Sequence, residues 1–246
     1  MSVSIYSPTS DIFNETYVRL GFDTKRLIYK KVNDYLLNSK FYYPRSTMLT
    51  KTQSKIMQFC VTNITELYTI NGIARMMNMN PSLVHRAITP LVKEHKLLTL
   101  TKHNLITVNY TSNHGELAYI EYLRMQEFLS KNKMIKDFRS EILQKLNDEY
   151  FIVILFGSAI TKAKPNDYDI LFIFEDFEKV RKRERAIELI ASQYEKEFDI
   201  TVIGVESIFE MATKRTQKNV FNETLQNHII LYGGELFYRL LQNARQ

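Results

Sequence analysis

Cysteine occurs once in this sequence, at Cys60, so no disulfide can close within the chain. Its neighbours Ile56, Met57 and Phe59 sit at helical spacing, which marks it as a small buried hydrophobe rather than a nucleophile. Glycine (7) and proline (5) are too scarce for a long flexible linker. Module boundaries must therefore fall where the periodicity changes. No apolar run approaches the ~18 residues of a membrane span. The opening, MSVSIYSPTSDIF, lacks a basic segment followed by an apolar stretch and a small-residue cleavage site. These absences predict a cytoplasmic protein with no membrane partner. Internal repeats and low-complexity tracts are missing too. What is present is ordinary for a globular chain of 246 residues, 45% hydrophobic and 24% charged, long enough for two domains.

The net charge of +6 is unevenly shared. Residues 1–110 hold 14 Lys and Arg against 6 Asp and Glu, and the rest holds 19 against 21. A basic front suits a polyphosphate partner, because each Lys or Arg at a phosphate releases condensed counterions.

Four segments follow from the patterning. Residues 1–49 read as a helical extension, with Arg26–Tyr29 and Tyr35–Leu37 its clearest helical part. Over 50–112, helical spacing predicts helices at Lys51–Asn63, Ile70–Met77 and from Pro81, a residue that fits a first helical turn below a capping Asn80 or Ser82. The third helix should turn Leu83, Val84, Ala87, Ile88, Leu91 and Val92 inward. Pro90, which lacks a donor, should kink it or end it near Ile88. Alternating residues 97–101 and 105–109 flank Lys102-His103-Asn104 as a hairpin. Residues 113–148 carry two amphipathic helices. Residues 149–246 alternate strands with helices, among them a helix presenting Ala186, Leu189, Ile190 and Tyr194.

The chemistry concentrates in LFGSAITKAKPNDYDILFIF, residues 155–174. Ile152–Phe156 is a buried-strand run that stops at Gly157-Ser158. Glycine permits close approach by a backbone or a phosphate, and Ser158 is placed to cap a following helix whose free N–H groups attract anions. Lys162 and Lys164 can screen phosphate charge. Alternation puts Asp167 and Asp169 on one face of the next strand, with Tyr168 and Ile170 opposite. Two ionised carboxylates that close repel unless a cation joins them, and magnesium suits carboxylates and substrate phosphates. Asp199, inside the apolar run Phe198–Ile203, supplies a third acid that is costly unless paired or bound to metal. Lys214 and Arg215 read as a solvent face, and His85, His95, His103, His114 and His228 lack the spacing of a zinc site.

Segment 50–110 resembles a winged helix-turn-helix domain, in which the third helix enters the major groove. The resemblance implies that Ser82, His85, Arg86 and Thr89 face bases, that Lys102 or His103 meets phosphate, and that the chain pairs as a homodimer; winged helices also dock proteins. Gly157-Ser158, Asp167-Tyr168-Asp169 and Asp199 resemble the motifs of the polymerase-beta-like nucleotidyltransferase superfamily, in its minimal branch, over about residues 149–204. The stretch His228–Gly233 followed by Glu235–Tyr238 is similar to tails of that branch.

The family resemblance implies a mixed sheet packed on one side by helices, hence an α/β (α+β) chain, and a magnesium-dependent transfer from ATP or another NTP to a hydroxyl. Gly157 and Ser158 would hold the triphosphate, with Lys162 and Lys164 near its charge; the catalytic acids Asp167 and Asp169 would bind the metal, and Asp199 would complete the metal site and help deprotonate the attacking hydroxyl. The acceptor would be a protein, as in antitoxins that modify a HEPN ribonuclease, or an RNA 3′ end. The sequence departs from the pattern in its short Ser158-to-Asp167 spacing and in Ala159-Ile160-Thr161-Lys162. Those departures suit an alternative, a DNA-binding regulator whose nucleotidyltransferase domain is inactive.

Overall fold

The computed structural model describes residues 49–146, 150–162, 165–175, 180–213 and 218–245, with backbone alone at 181 and 182. The expected helical extension before residue 49, Lys164, and Lys214 with Arg215 lie outside the described residues. Leu49–Gln246 is one compact unit.

Helix α1 (Lys51–Thr62) starts on a reciprocal cap: the Thr50 hydroxyl accepts from the Gln53 N–H at 3.2 Å, and the Gln53 side chain accepts from the Thr50 N–H at 2.8 Å. It buries Ile56, Met57, Cys60 and Val61, and burial pushes the Cys60 thiol up to about 12, an inert core cysteine. Helix α2 (Ile70–Met76) and helix α3 (Pro81–Lys93) follow. Asn80 caps α3 by accepting from the Ser82 N–H at 2.9 Å. Strands β1 (Leu98–Leu100) and β2 (Ile106–Val108) form the expected hairpin, shorter than its alternating residues suggest.

Two expectations for α3 need correcting. The helix runs through Pro90 to Lys93 instead of ending near Ile88. Pro90 withholds its donor from the carbonyl of Arg86, and Arg86 lies exposed, so water can satisfy that group. Leu83 is 39% exposed rather than inward, because Val84, Ala87, Ile88 and Leu91 already fill the core face.

Helices α4 (His114–Lys131) and α5 (Lys133–Lys145) lead to a four-stranded sheet of order β5-β4-β3-β6. Its strands are β3 (Phe151–Phe156), β4 (Asp167–Phe174), β5 (Glu197–Gly204) and β6 (His228–Tyr232), with helix α6 (Val180–Ala191) between β4 and β5. Helices α7 (Val205–Thr213) and α8 (Val220–Gln226) precede β6, and α9 (Gly234–Ala244) ends the unit. Strands β4 and β5 are parallel, while β3 runs antiparallel to both β4 and β6. The chain is thus mixed α/β.

Helices cover both faces of this sheet rather than one. On one face Ile152, Ile154, Leu171 and Ile173 join Ile208 of α7, Phe221 and Leu225 of α8, and Phe237 of α9 in a core that extends to α1 and α3. On the other face, Phe138 of α5 stacks on Phe198 at 4.5 Å, and the Arg183 guanidinium of α6 lies 4.7 Å from the centre of the Phe174 ring. All six β3 side chains are buried for this reason. The inward stripe of α6 is Val180, Arg183, Ile187 and Ala191, and Leu189, expected inside, is 67% exposed.

One buried polar cluster ties α4 to β6 and α9. The Glu121 carboxylate accepts from Arg124 at 2.6 Å and from the Tyr238 hydroxyl at 2.8 Å, and lies 3.2 Å from His228 Nε2. Arg124 also donates to the His228 carbonyl at 2.7 Å. Burial disfavours the Glu121 charge, but Arg124, His228 and Tyr238 outweigh it and hold the carboxyl below its ordinary range.

Candidate active site

The sequence repeats one short pattern, acid–aromatic–acid, at Asp167-Tyr168-Asp169 and Glu197-Phe198-Asp199. Parallel pairing lays the two side by side, Asp167 against Glu197, Tyr168 against Phe198, and Asp169 against Asp199. Side chains alternate along a strand, so the aromatics share one face and the carboxylates the other. Tyr168 and Phe198 stack at 5.4 Å, which fixes the register with apolar contact on the side away from the acids. Carboxylates on neighbouring parallel strands then stand about 5 Å apart at the backbone.

The row continues across the sheet. Phe156 pairs with Asp169, and His228 pairs with Phe156. All four strands bring one end to this place: the last residue of β3 and the first residues of β4, β5 and β6.

Gly157 follows Phe156 with φ +72°, a left-handed conformation that glycine adopts without strain. A Cβ there would meet Asp169 Oδ2 at 2.2 Å, so the carboxylate lies directly over the glycine backbone. Ser158 does not cap an α-helix, contrary to expectation. Gly157–Ile160 is a single 3₁₀ turn in which the Ser158 carbonyl accepts from the N–H of Thr161 at 3.2 Å and of Lys162 at 3.0 Å. The polar residues after Ile160 offer no face to bury, and Pro165 denies a donor and disfavours helical geometry before it. Lys162 is exposed beside this turn.

Asp169 is held above the ordinary carboxylate range, first by burial and then by the charges of Asp167, Asp199 and Glu223. Glu223 and Glu197 were not singled out from the sequence. Glu197 was legible in the repeated tripeptide, whereas Glu223 sits on α8 and reaches Asp169 only through packing. Lys218 lies 3.3 Å from Glu223 at the exposed margin. None of Asp167, Asp169 and Asp199 has an ion pair among the described residues. Nor do any three His, Cys, Asp or Glu side chains among them stand close enough to hold a metal ion as placed.

The front segment presents Ser82, His85 and Arg86 exposed along α3, and Lys102 with His103 exposed in the hairpin turn. Thr89 is half-buried and its hydroxyl donates to the His85 carbonyl at 3.0 Å, which engages it within the helix. No described helix is long and apolar enough to cross a membrane. No protein-family model, curated protein or solved structure matches this chain.

Proposed function

We propose that this chain is a magnesium-dependent nucleotidyltransferase with a nucleic-acid-binding front. The observation that carries the reading is Asp169, in register with Asp199 and pressed against Gly157, its carboxyl raised first by burial and then by the neighbouring acids. A one-sided cluster of carboxylates beside a glycine turn fits a cation and a triphosphate better than it fits a stable core, since like charges gathered this way disfavour folding. The donor set, all carboxylate oxygen, is the chemistry of magnesium rather than of zinc. When bound by Asp167, Asp169 and Asp199, the cation neutralises charge on those groups and on the triphosphate.

The turn at Gly157 and Ser158 accommodates the triphosphate, with Lys162 near its outer charge. Asp199 orients a hydroxyl and takes its proton. The hydroxyl oxygen forms a bond to the α-phosphorus of ATP or another NTP, the bond between that phosphorus and the α–β bridging oxygen breaks, and pyrophosphate leaves with the electron pair. The acceptor is a protein, such as a HEPN-type ribonuclease partner, or an RNA end. The front segment contacts DNA through Ser82, His85, Arg86 and Lys102.

The test is transfer of label from α-labelled ATP with Mg²⁺, with and without Asp167→Ala plus Asp169→Ala. Label transfer and pyrophosphate release that vanish in the double variant support the enzyme. A second reading, a DNA-binding regulator with an inactive site, is favoured by one observation, that among the described residues no three acids are gathered at metal distance. Nucleotide binding without pyrophosphate release would establish it.

A further inference from the structure

We infer that the outer edge of β5 is a docking strand for an extended, positively charged polypeptide segment of a partner protein. Among the described residues β5 pairs only with β4, leaving one long side of an eight-residue strand with unpaired backbone groups. Such an edge accepts a further strand through main-chain hydrogen bonds. An open groove runs along its first half, lined by α6 and the turn after it and including Glu188, Tyr194, Glu195, Glu197 and Asp199.

The charge of this groove selects the occupant. Its four carboxylates carry no ion pair among the described residues, and the single lysine in the lining does not offset them. Lys196 is already engaged: it donates to the Pro165 carbonyl and lies 5.7 Å from the centre of the Tyr168 ring. A phosphate backbone would meet uncompensated repulsion there. A second copy pairing edge to edge would bring the same acids against each other. Alternating basic side chains on an added strand complement Glu195, Glu197 and Asp199, while their backbone supplies the missing bonds.

Asp199 belongs both to this groove and to the acid row, so a segment docked here brings a serine, threonine or tyrosine hydroxyl to that carboxylate. Only this last step rests on the nucleotidyl-transfer reading, with the bond changes written above.

The experiment uses the full chain and a labelled nine-residue peptide of alternating lysine and valine containing one tyrosine. Controls are the same peptide with two prolines, its glutamate-for-lysine counterpart, and a nine-nucleotide RNA. Anisotropy should show binding of the first alone, weakened at least tenfold by Glu195→Lys plus Glu197→Lys. Amide exchange should slow across Glu197–Gly204 when the peptide is bound. Equal binding of the proline peptide, binding of the RNA at this edge, concentration-dependent protection without peptide, or unchanged exchange in β5 would each overturn the inference. These measurements need no nucleotide. Docking without label transfer to the tyrosine therefore removes only the delivery of a hydroxyl to Asp199 and leaves the docking strand intact, whereas the transfer reading itself stands or falls on pyrophosphate release.

Discussion

Asp169 of β4 and Asp199 of β5 are direct register partners on parallel strands, with the Asp169 carboxylate lying over Gly157. Like charges facing one another on neighbouring strands are destabilising. Asp169 binds its proton more tightly in the folded chain than in the unfolded one. Between the unfolded and folded pKa values the native state therefore holds more protons, and stability falls as pH rises through that window. Asp169→Asn should raise Tm at neutral pH, and the gain should shrink below the unfolded carboxylate range. Thermal scans at several pH values check this, and an unchanged or growing gain in acid contradicts it.

Millimolar Mg²⁺ should raise the Tm of the native chain by relieving the same repulsion, since a ligand that binds only the folded state stabilises it. Asp169→Asn plus Asp199→Asn should abolish that shift. An equal Mg²⁺ shift in the double variant would place the ion elsewhere.

Gly157→Ala introduces a Cβ at 2.2 Å from Asp169 Oδ2 and a non-glycine residue at φ +72°. Left-handed strain alone costs about 1–3 kcal/mol, and Asp169 must also move. Denaturant titration should show that loss together with weaker ATP binding. Gly233→Ala is the control, because its Cβ would meet the Phe151 carbonyl at 2.7 Å, at the other end of β3. It should destabilise comparably while the folded fraction keeps its ATP affinity.

Glu121→Ala leaves the Arg124 guanidinium buried without its carboxylate partner and takes an acceptor from His228 and Tyr238. Breaking a buried pair on one side costs about 3–5 kcal/mol. The Glu121 carboxyl is held low in the folded state, so the stability it contributes is present above its unfolded pKa and is lost as pH falls through the folded value. The native chain should lose stability in that acid window, and Glu121→Gln should flatten the slope. A parallel slope in the variant would assign acid unfolding to other groups.

Arg86→Ala and Lys102→Ala should weaken binding to duplex DNA and lower the salt dependence of log K by about 0.9 for each phosphate contact removed. Fluorescence anisotropy at several salt concentrations measures both. An unaltered slope for both variants would direct the front segment toward protein docking.

Much of the element order was legible because periodicity is local. The three front helices, the hairpin, the buried run before Gly157 and the acid-headed strand after it all appear at or near their expected positions. The misreadings were also local, and each has a tertiary cause. Leu83 and Leu189 match a helical stripe, yet neighbours at the same spacing fill the core instead. Pro90 stays within α3 at a turn where Arg86, whose carbonyl it deprives, is an exposed residue. Glu121 and Arg124 on α4 were not singled out from the sequence, and they are buried because His228, Tyr238 and each other satisfy them.

The sequence alone determined that Asp167-Tyr168-Asp169 heads one strand and that Asp199 interrupts another apolar run, since alternation divides carboxylates from aromatics wherever such a strand pairs. Only the tertiary structure decided that these strands are parallel neighbours in matching register, that α8 brings Glu223 toward Asp169, and that β5 keeps an open edge. Strand pairing and helix placement depend on contacts between residues far apart in the chain, and local periodicity carries no record of them.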